Sequence, residues 1–512
     1  RAGGAVLISA AVGGLFASSG AMAFTPDVTD SVRDEVVQEG VQNVRSGGLT
    51  TNHTIGSRGT QIVAGGQTVD TRVQDGGSQI VRQNGQTSGT VVTNGVQIVE
   101  VDGTATGSQL NSGGTQAVSG KASGTVVGAG GVQTVLQSGL ASQTVINNGG
   151  VQAVSGKSVE GIVNAGGTQL INNGGFSQDA TVNSGGSQHV NVGGSAADTT
   201  IFGGGNQIVA GTVSGAHLND GGAQLVQQTG KSIGTIINNR GTQTVDGTAI
   251  SSVINNGGTQ LVQTGGHANS TVVRDGGVQD VKLGGAASGS ILLGGTQELA
   301  GTAGDTIIGN GGVQHVQVGA NASGTLINAG GLQRVDGTAK TTTINDQGIQ
   351  LVNRGGLANT TAINSGGLQY VAEGGSASDS VIFGGGIQQV SGTASGTSVN
   401  DGGSQQVQVT GKATGTQINY RGTQAVDGTA ISAVVKDGGT QLVNSGGLAK
   451  DTQVNSGGLQ HVALGGASAD AHLFGGVQQL AGTASNTQID SGAEQHIEAT
   501  CLSVRATVNS GG

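Results

Sequence analysis

The chain has 512 residues with net charge −10, and 103 of them are Gly, about one in five, with 10% charged residues, 2% aromatics, a single Pro and no Trp. Eight aromatics are too few to fill the cores of ordinary globular domains of this length, and Gly without an every-third-residue period, beside one Pro, excludes collagen. The acidic and basic residues are thinly spread with no basic patch, which argues against a nucleic-acid partner.

Residues 1–23 combine a basic start, an apolar Ala-Val-Leu-Ile stretch and an Ala-Met-Ala end. This is the pattern of a secretory signal cleaved after Ala23, partial because the chain opens at Arg1. The stretch is too short and too Gly-rich to span a membrane stably. Residues 24–40 then read as a lead-in or cap. One cysteine, Cys501, cannot form an internal disulfide and reads as a small, half-buried side chain.

From Gln42 onward a Gln recurs 26 times, at steps of 17, 18 or 19 residues, ending at Gln495. The residue two places after each Gln is aliphatic, as at Val63, Ile171 and Val443; the residue six places before it is aliphatic in all but one unit, where it is His472. The residue directly after the Gln is unconstrained (His189, Asp280, Arg334, Tyr370). Strand side chains alternate faces, so the Gln and the aliphatic residue point inward and the free position points to solvent. Asn stands five before the Gln in half of the units, and Gly-Gly follows. Stacked Gln and Asn amides form ladders, and Gly supplies positive φ for corners. The expected fold is all-β: a single-stranded parallel β-helix over residues 41–512, about 26 coils of 17–19 residues. Each coil reads as two short strands and two glycine corners. Right-handed winding is the default for parallel crossovers, and 26 coils at about 4.8 Å give a rod of roughly 120 Å.

A second repeat overlies the first. The step order from Gln169 recurs from Gln350, 181 residues or ten coils later, and Phe202 before a triple glycine returns as Phe383. Copies begin near residues 116, 297 and 478, the third cut short, so further chain is expected beyond residue 512.

Enzyme signals fail. Gly156-Lys157-Ser158 and Gly230-Lys231-Ser232 lack the Gly that a phosphate-binding loop needs five places earlier. The outward histidines His189, His315, His461 and His496 stand at least two coils apart, too far to share a metal about 2 Å from each ligand. Asp before Gly-Gly is explained by turn chemistry. There is no catalytic constellation and no cofactor motif. Hydroxyls do recur at corners: Ser46, Ser112, Ser184, Ser365, Ser445, Ser456 and Ser510 precede Gly-Gly, and Ser123, Ser288, Ser323 and Ser395 lie in Ala-Ser-Gly-type stretches at the opposite corner. These are candidate O-glycosylation sites, although Ser as a turn former accounts equally for any one of them.

The unit Val-Asn-Ser-Gly-Gly-x-Gln-x-Val, at 182–190 and 454–462, resembles the passenger repeat of AIDA-type autotransporter adhesins, the family of antigen 43-like and TibA-like self-associating proteins. The likeness runs from Val41 to Gly512. It implies a right-handed β-helix exported through the inner membrane and displayed on the bacterial outer-membrane surface by a C-terminal barrel that this sequence lacks. The implied function is adhesion to host cells or self-aggregation and biofilm formation, with a host receptor or an identical passenger on a neighbouring cell as partner. The resemblance also implies an O-heptosyltransferase acting on the serines named above, and no enzymatic activity. An exported β-helix enzyme degrading polysaccharide is the alternative, but it needs clustered carboxylates and stacking aromatics that this stretch lacks. An ice-binding solenoid would need a Thr-x-Thr ladder, and Thr341 to Thr343 is isolated.

Overall fold

The computed structural model describes residues 24–499 and 501–512; the signal expected over 1–23, with its cleavage after Ala23, lies outside them. All regular structure among the described residues is β-strand, and no helix there is long and apolar enough to cross a membrane. The chain divides into two compact units: one runs to Val126 and includes Gly130–Gln133, the other comprises Val127–Ala129 and Thr134–Gly512. Each unit is a parallel β-helix.

One coil of the second unit shows the construction. The anchor strand Thr168–Ile171 is followed by a second strand, Phe176–Gln178, and a third, Thr181–Val182. Each pairs in parallel with its counterpart one coil later, so that Gln169 meets Gln188, Ser177 meets Ala196 and Val182 meets Ile201. A coil therefore has three strands, not the two expected. The second strand escaped detection because its inward residue is small, Ser177 here and Ala249, Ala268 or Ala339 elsewhere, which carries no hydrophobic signal. Ala, Ser and Thr predominate there, beside the Gln side chain, with Val213 the largest buried residue in the row. A single αL residue, Asp179 at φ +54°, turns the second strand into the third.

The other corner explains the glycine pair. Gly185 has φ +75°, the left-handed backbone that Gly adopts without steric cost. Gly186 has ordinary φ, but a Cβ there would lie 2.4 Å from the Val163 carbonyl oxygen one coil below. The first glycine is needed for its conformation, the second for the close approach of two backbones. Gly186 N–H donates to the Asn183 carbonyl at 2.8 Å, closing the turn, and Gly185 N–H donates to the Gly204 carbonyl at 2.9 Å, tying it to the next coil.

Inside, each Gln Nε2 donates to the Oε1 of the Gln one coil earlier. In the first unit the chain runs from Gln61→Gln42 at 2.9 Å to Gln133→Gln116 at 2.7 Å. In the second it runs unbroken from Gln169→Gln152 at 2.7 Å to Gln495→Gln478 at 2.6 Å. Where a Thr or Ser follows the one-residue corner it can donate to the same Oε1, as Ser290 does to Gln279 at 2.9 Å; Thr71 Oγ1 is buried without a partner. Opposite this polar seam lies the aliphatic row, Val and Ile at 0% exposure. Each such side chain contributes about 1.5–3 kcal/mol, too little for one coil to offset its own ordering entropy, so the stack is the stable entity. Asn makes a second ladder at the surface, Asn183→Asn164→Asn147 at 2.8 Å each. These Asn residues do not use the left-handed backbone.

Where the corner is one residue shorter, the inward residue shifts from six to five before the Gln: Val92, Leu292 and Leu473 are fully buried. Leu473 thus fills the core in the coil where His472 broke the aliphatic pattern, and His472 faces outward.

Candidate modification sites along the solenoid edges

The expected serines fall into three rows rather than two. Ser112, Ser184, Ser365 and Ser456 occupy the turn before the anchor strand, Ser510 the equivalent turn after strand Thr507–Val508, and Ser46 and Ser445 the turn after the anchor strand. All seven are exposed, at the second position of a turn whose fourth N–H bonds back to the first carbonyl, as Gly458 does to Asn455 at 2.8 Å. The third row is not a corner: Ser123, Ser288, Ser323 and Ser395 end the second strand, immediately before a Gly. Reading Ala-Ser-Gly as a turn placed them one residue too far round, because the αL residue is the Gly alone, as at Gly289 with φ +60°.

The rows differ in how the hydroxyl is engaged. Ser288 Oγ donates to Asn269 Oδ1 at 2.8 Å and Ser323 Oγ to the Ala303 carbonyl at 3.4 Å, both within the sheet face. The corner serines stand beside glycine in the following coil: a Cβ added to Gly204, Gly385 or Gly465 would fall 2.5–2.9 Å from the hydroxyls of Ser184, Ser365 and Ser445. The missing side chain leaves each hydroxyl uncovered. No two of these corner serines in one row sit in adjacent coils, so they form separate single sites.

Charged groups bridge successive coils on the outer anchor-strand face at His315. His315 Nδ1 lies 3.0 Å from Glu298 Oε2 and its Nε2 lies 2.5 Å from Asp336 Oδ2, bridging three coils. Facing a carboxylate with each ring nitrogen, His315 makes both contacts as a donor only when it is the imidazolium; the bond to Asp336, helped by Glu298, raises its pKa against the effect of burial. Burial works against the Asp336 carboxylate, but the bonds from His315 and Asn353 outweigh it and lower its pKa. Near the C-terminal end, His472 donates to Asp490 at 2.8 Å and stacks on Phe474 with ring centroids 3.7 Å apart. Bonds from Asn509 and His472 hold Asp490 below the usual carboxylate range. His189, bonded to Ser187, is pushed down by burial. Among the described residues no group of His, Cys, Asp and Glu is placed to hold a metal ion. Cys501 is half-buried against the Val443–Leu480 core cluster.

The sequence reading missed one surface feature. Phe202, Leu293, Phe383 and Phe474, at or just past the end of the third strand before the corner, are 40–46% exposed, recurring every five coils. Val192, Leu283, Val318, Val409 and Leu464 are 65–83% exposed in the corner after the anchor strand. Phe202 and Phe383 were visible as duplication markers; that they stand outside the core required knowing where the corner turns.

No family model and no curated protein matches the chain. Among solved structures it is similar to a TibC-catalysed, hyper-glycosylated fragment of TibA, at 32% identity over 64% of this chain and 99% of that one, with a TM-score of 0.42. A mutant of the PL6 family alginate lyase AlyGC is matched at 9% identity over 94% of this chain and 98% of that one, TM-score 0.24, a likeness that carries no argument about activity. Fold and edges define a parallel β-helical solenoid with a glutamine seam. By its identity to the TibA fragment across nearly all of that fragment, the chain belongs to the AIDA-type autotransporter passenger family.

Proposed function

We propose that this chain is the passenger of a bacterial surface adhesin whose corner serines are glycosylated by an O-heptosyltransferase. Its attachment to host cells or to identical passengers on neighbouring cells comes from many weak contacts along its coils. The observation that carries the reading is kinship with a TibA fragment that TibC glycosylated. The uncovered hydroxyls of Ser184, Ser365, Ser445 and Ser456, each facing a glycine in the next coil, support it. Spaced exposed residues such as Phe202, Leu283, Val318 and Phe383 suit attachment by avidity, in which single contacts are weak and their number decides. The proposal includes export by the signal at 1–23 and display at the cell surface from a C-terminal outer-membrane barrel.

Coexpression with and without a heptosyltransferase, followed by intact-mass spectrometry and site mapping, tests it. The expected result is a mass ladder in heptose steps mapping first to the corner serines, with Ser288 and Ser323 modified later or not at all. An unmodified passenger beside a transferase active on its own passenger would refute the glycoprotein reading.

A further inference from the structure

The surface row of asparagines is interrupted where a phenylalanine stands. Val182 meets Ile201 across parallel strands, and two corners later Gly185 N–H donates to the Gly204 carbonyl at 2.9 Å. The register between these points sets Phe202 beside Asn183 and Gly203 beside Ser184. Asn183 Nδ2 donates to Asn164 at 2.8 Å, and Asn219 Oδ1 accepts from Asn238 at 2.7 Å. With Phe202 between them, Asn183 Oδ1 and Asn219 Nδ2 have no partner among the described residues. Ten coils on, Phe383 stands in the same way between Asn364, which donates to Asn345, and Asn400, which accepts from Asn419.

Each of these rings follows a serine corner by one coil. Ser184 precedes Phe202, Ser365 precedes Phe383, and Ser456 precedes Phe474, the last pair fixed by Asn455 meeting Phe474 across the strands. Of the phenylalanines described, Phe24 and Phe176 lie elsewhere and the other three stand in this row, 40–44% exposed. One block before Ser456 and Phe474 the same positions hold Asp275 and Leu293, so the hydroxyl and the ring are lost together. Gly203–Gly204, Gly384–Gly385 and Gly475–Gly476 place no side chain beside the ring or over the hydroxyl. An exposed aromatic face is apolar and attracts C–H groups through its quadrupole, and apolar surface held open at one fixed place marks a contact. A ring flanked by an unpaired amide oxygen and an unpaired amide N–H fits a pyranose, which has a C–H face rimmed by hydroxyls. Coils about 4.8 Å apart put such a ring within reach of a sugar on the serine before it.

On the glycoprotein reading above, we propose that Phe202, Phe383 and Phe474 are platforms for the sugars carried by Ser184, Ser365 and Ser456. The C–H face of the pyranose lies on the aromatic face, with its hydroxyls toward the amide groups that the ring leaves unpaired. Each sugar is thereby held against the coil and turns its outer face to whatever the edge meets. At Phe474 one side is already taken by His472, with centroids 3.7 Å apart, so a single face is open there. Ser112 and Ser491 occupy the same turn but are followed one coil later in sequence by Gly128 and Asn509, and their sugars have no ring to lie on.

With six phenylalanines in the whole chain, isotope labelling at Phe alone gives an NMR spectrum simple enough to read. The chain is made with and without an O-heptosyltransferase, and its sugars are mapped by mass spectrometry. In the modified protein Phe202 and Phe383 should shift and show nuclear Overhauser contacts to sugar protons, while Phe176 stays unchanged. Ser184→Ala should abolish the contacts of Phe202 and leave those of Phe383. Phe202→Leu, which installs the residue found at 293, assigns the Phe202 signal and should leave Ser184 modified. A sugar mapped to Ser184 with Phe202 unshifted and free of contacts would overturn the platform and leave the glycoprotein reading standing. Contacts of Phe202 that persist in Ser184→Ala mean a different occupant and overturn it as well. Loss of modification at Ser184 in Phe202→Leu would assign the ring to recognition by the transferase instead. A chain that carries no sugar at these serines beside an active transferase would end both readings.

Discussion

At the scale of single residues, the two glycines of one corner make separable demands. Ala at 185 must take φ near +75°, which costs about 1 kcal/mol. Ala at 186 needs no unusual φ, but its methyl would meet the Val163 carbonyl at 2.4 Å, a backbone atom that cannot move without breaking the ladder. Gly186→Ala is therefore expected to destabilise its coil more than Gly185→Ala, and Gly185→Asn to be milder still because Asn tolerates αL. Local opening free energies from hydrogen exchange over residues 160–210 check the order. The seam is equally specific. Gln279→Leu keeps the bulk but leaves Gln297 Nε2 without its acceptor, and Ser290 Oγ likewise. Each orphaned group costs about 1–3 kcal/mol, felt in the coils on either side and absent ten coils away, because neighbours alone interact in a solenoid.

At the scale of strands and corners, the bridge Glu298–His315–Asp336 joins three anchor strands through an imidazolium. His315 is raised in the folded state, so its contribution is present below 6.5 and is lost as pH rises through the folded value. The groups are about one-third exposed, so solvent screens the pair and the effect on stability is small; the titration itself is the clear readout. By NMR the His315 midpoint should lie above 6.5 and that of His189 below it, and Asp336→Asn should bring His315 down without moving His189. A His315 midpoint at or below that of His189 would refute the bridge. This cluster also marks the limit of what the sequence discloses. The inward positions were legible: Gln169 and Ile171 announce themselves because Gln returns in every coil and an aliphatic residue stands two places after it. Outward neighbours were not, since Asp336 stands three residues beyond its Gln and reaches His315 only through the pitch of the stack. The second strand was hidden for a related reason, as Ser177 and Ala196 look like loop residues until the Gln opposite them is seen to fill the space. The serines were legible as candidates, but their rows were not, because Ser-Gly-Gly is written identically before Gln460 and after Gln441 while the two corners lie at opposite ends of the anchor strand.

At the scale of the whole molecule, the ten-coil block is a statement about interchangeability. Within the second unit each rung meets only its neighbours, and the residues after Gln169 (Leu170, Ile171, Asn172, Asn173, Gly174, Gly175) match those after Gln350 (Leu351, Val352, Asn353, Arg354, Gly355, Gly356) in inward size, corner length and glycine placement. Removing Leu170–Gln350 therefore joins Gln169 to Leu351 with the Gln ladder, the aliphatic row and both corners in register. Stability in such stacks is a sum over coils and their interfaces, so the shortened protein is expected to fold, with unchanged exchange protection in the coils flanking the junction. Removing Leu170–Asn359 takes out only nine residues more, but it sets Thr360 and Thr361 where Leu170 and Ile171 stood. The αL residue Thr360, at φ +56°, then falls inside an anchor strand, and the next aliphatic residue arrives two places late. The junction coil would bury a hydroxyl in the apolar row and leave the following Gln without its partner, opening an unpaired strand edge of the kind that drives aggregation. Circular dichroism, size-exclusion chromatography and hydrogen exchange on the two deletions should separate a soluble, protected solenoid from a locally unfolded, associating one. Equal behaviour of the two would mean that register is not what holds the coils together.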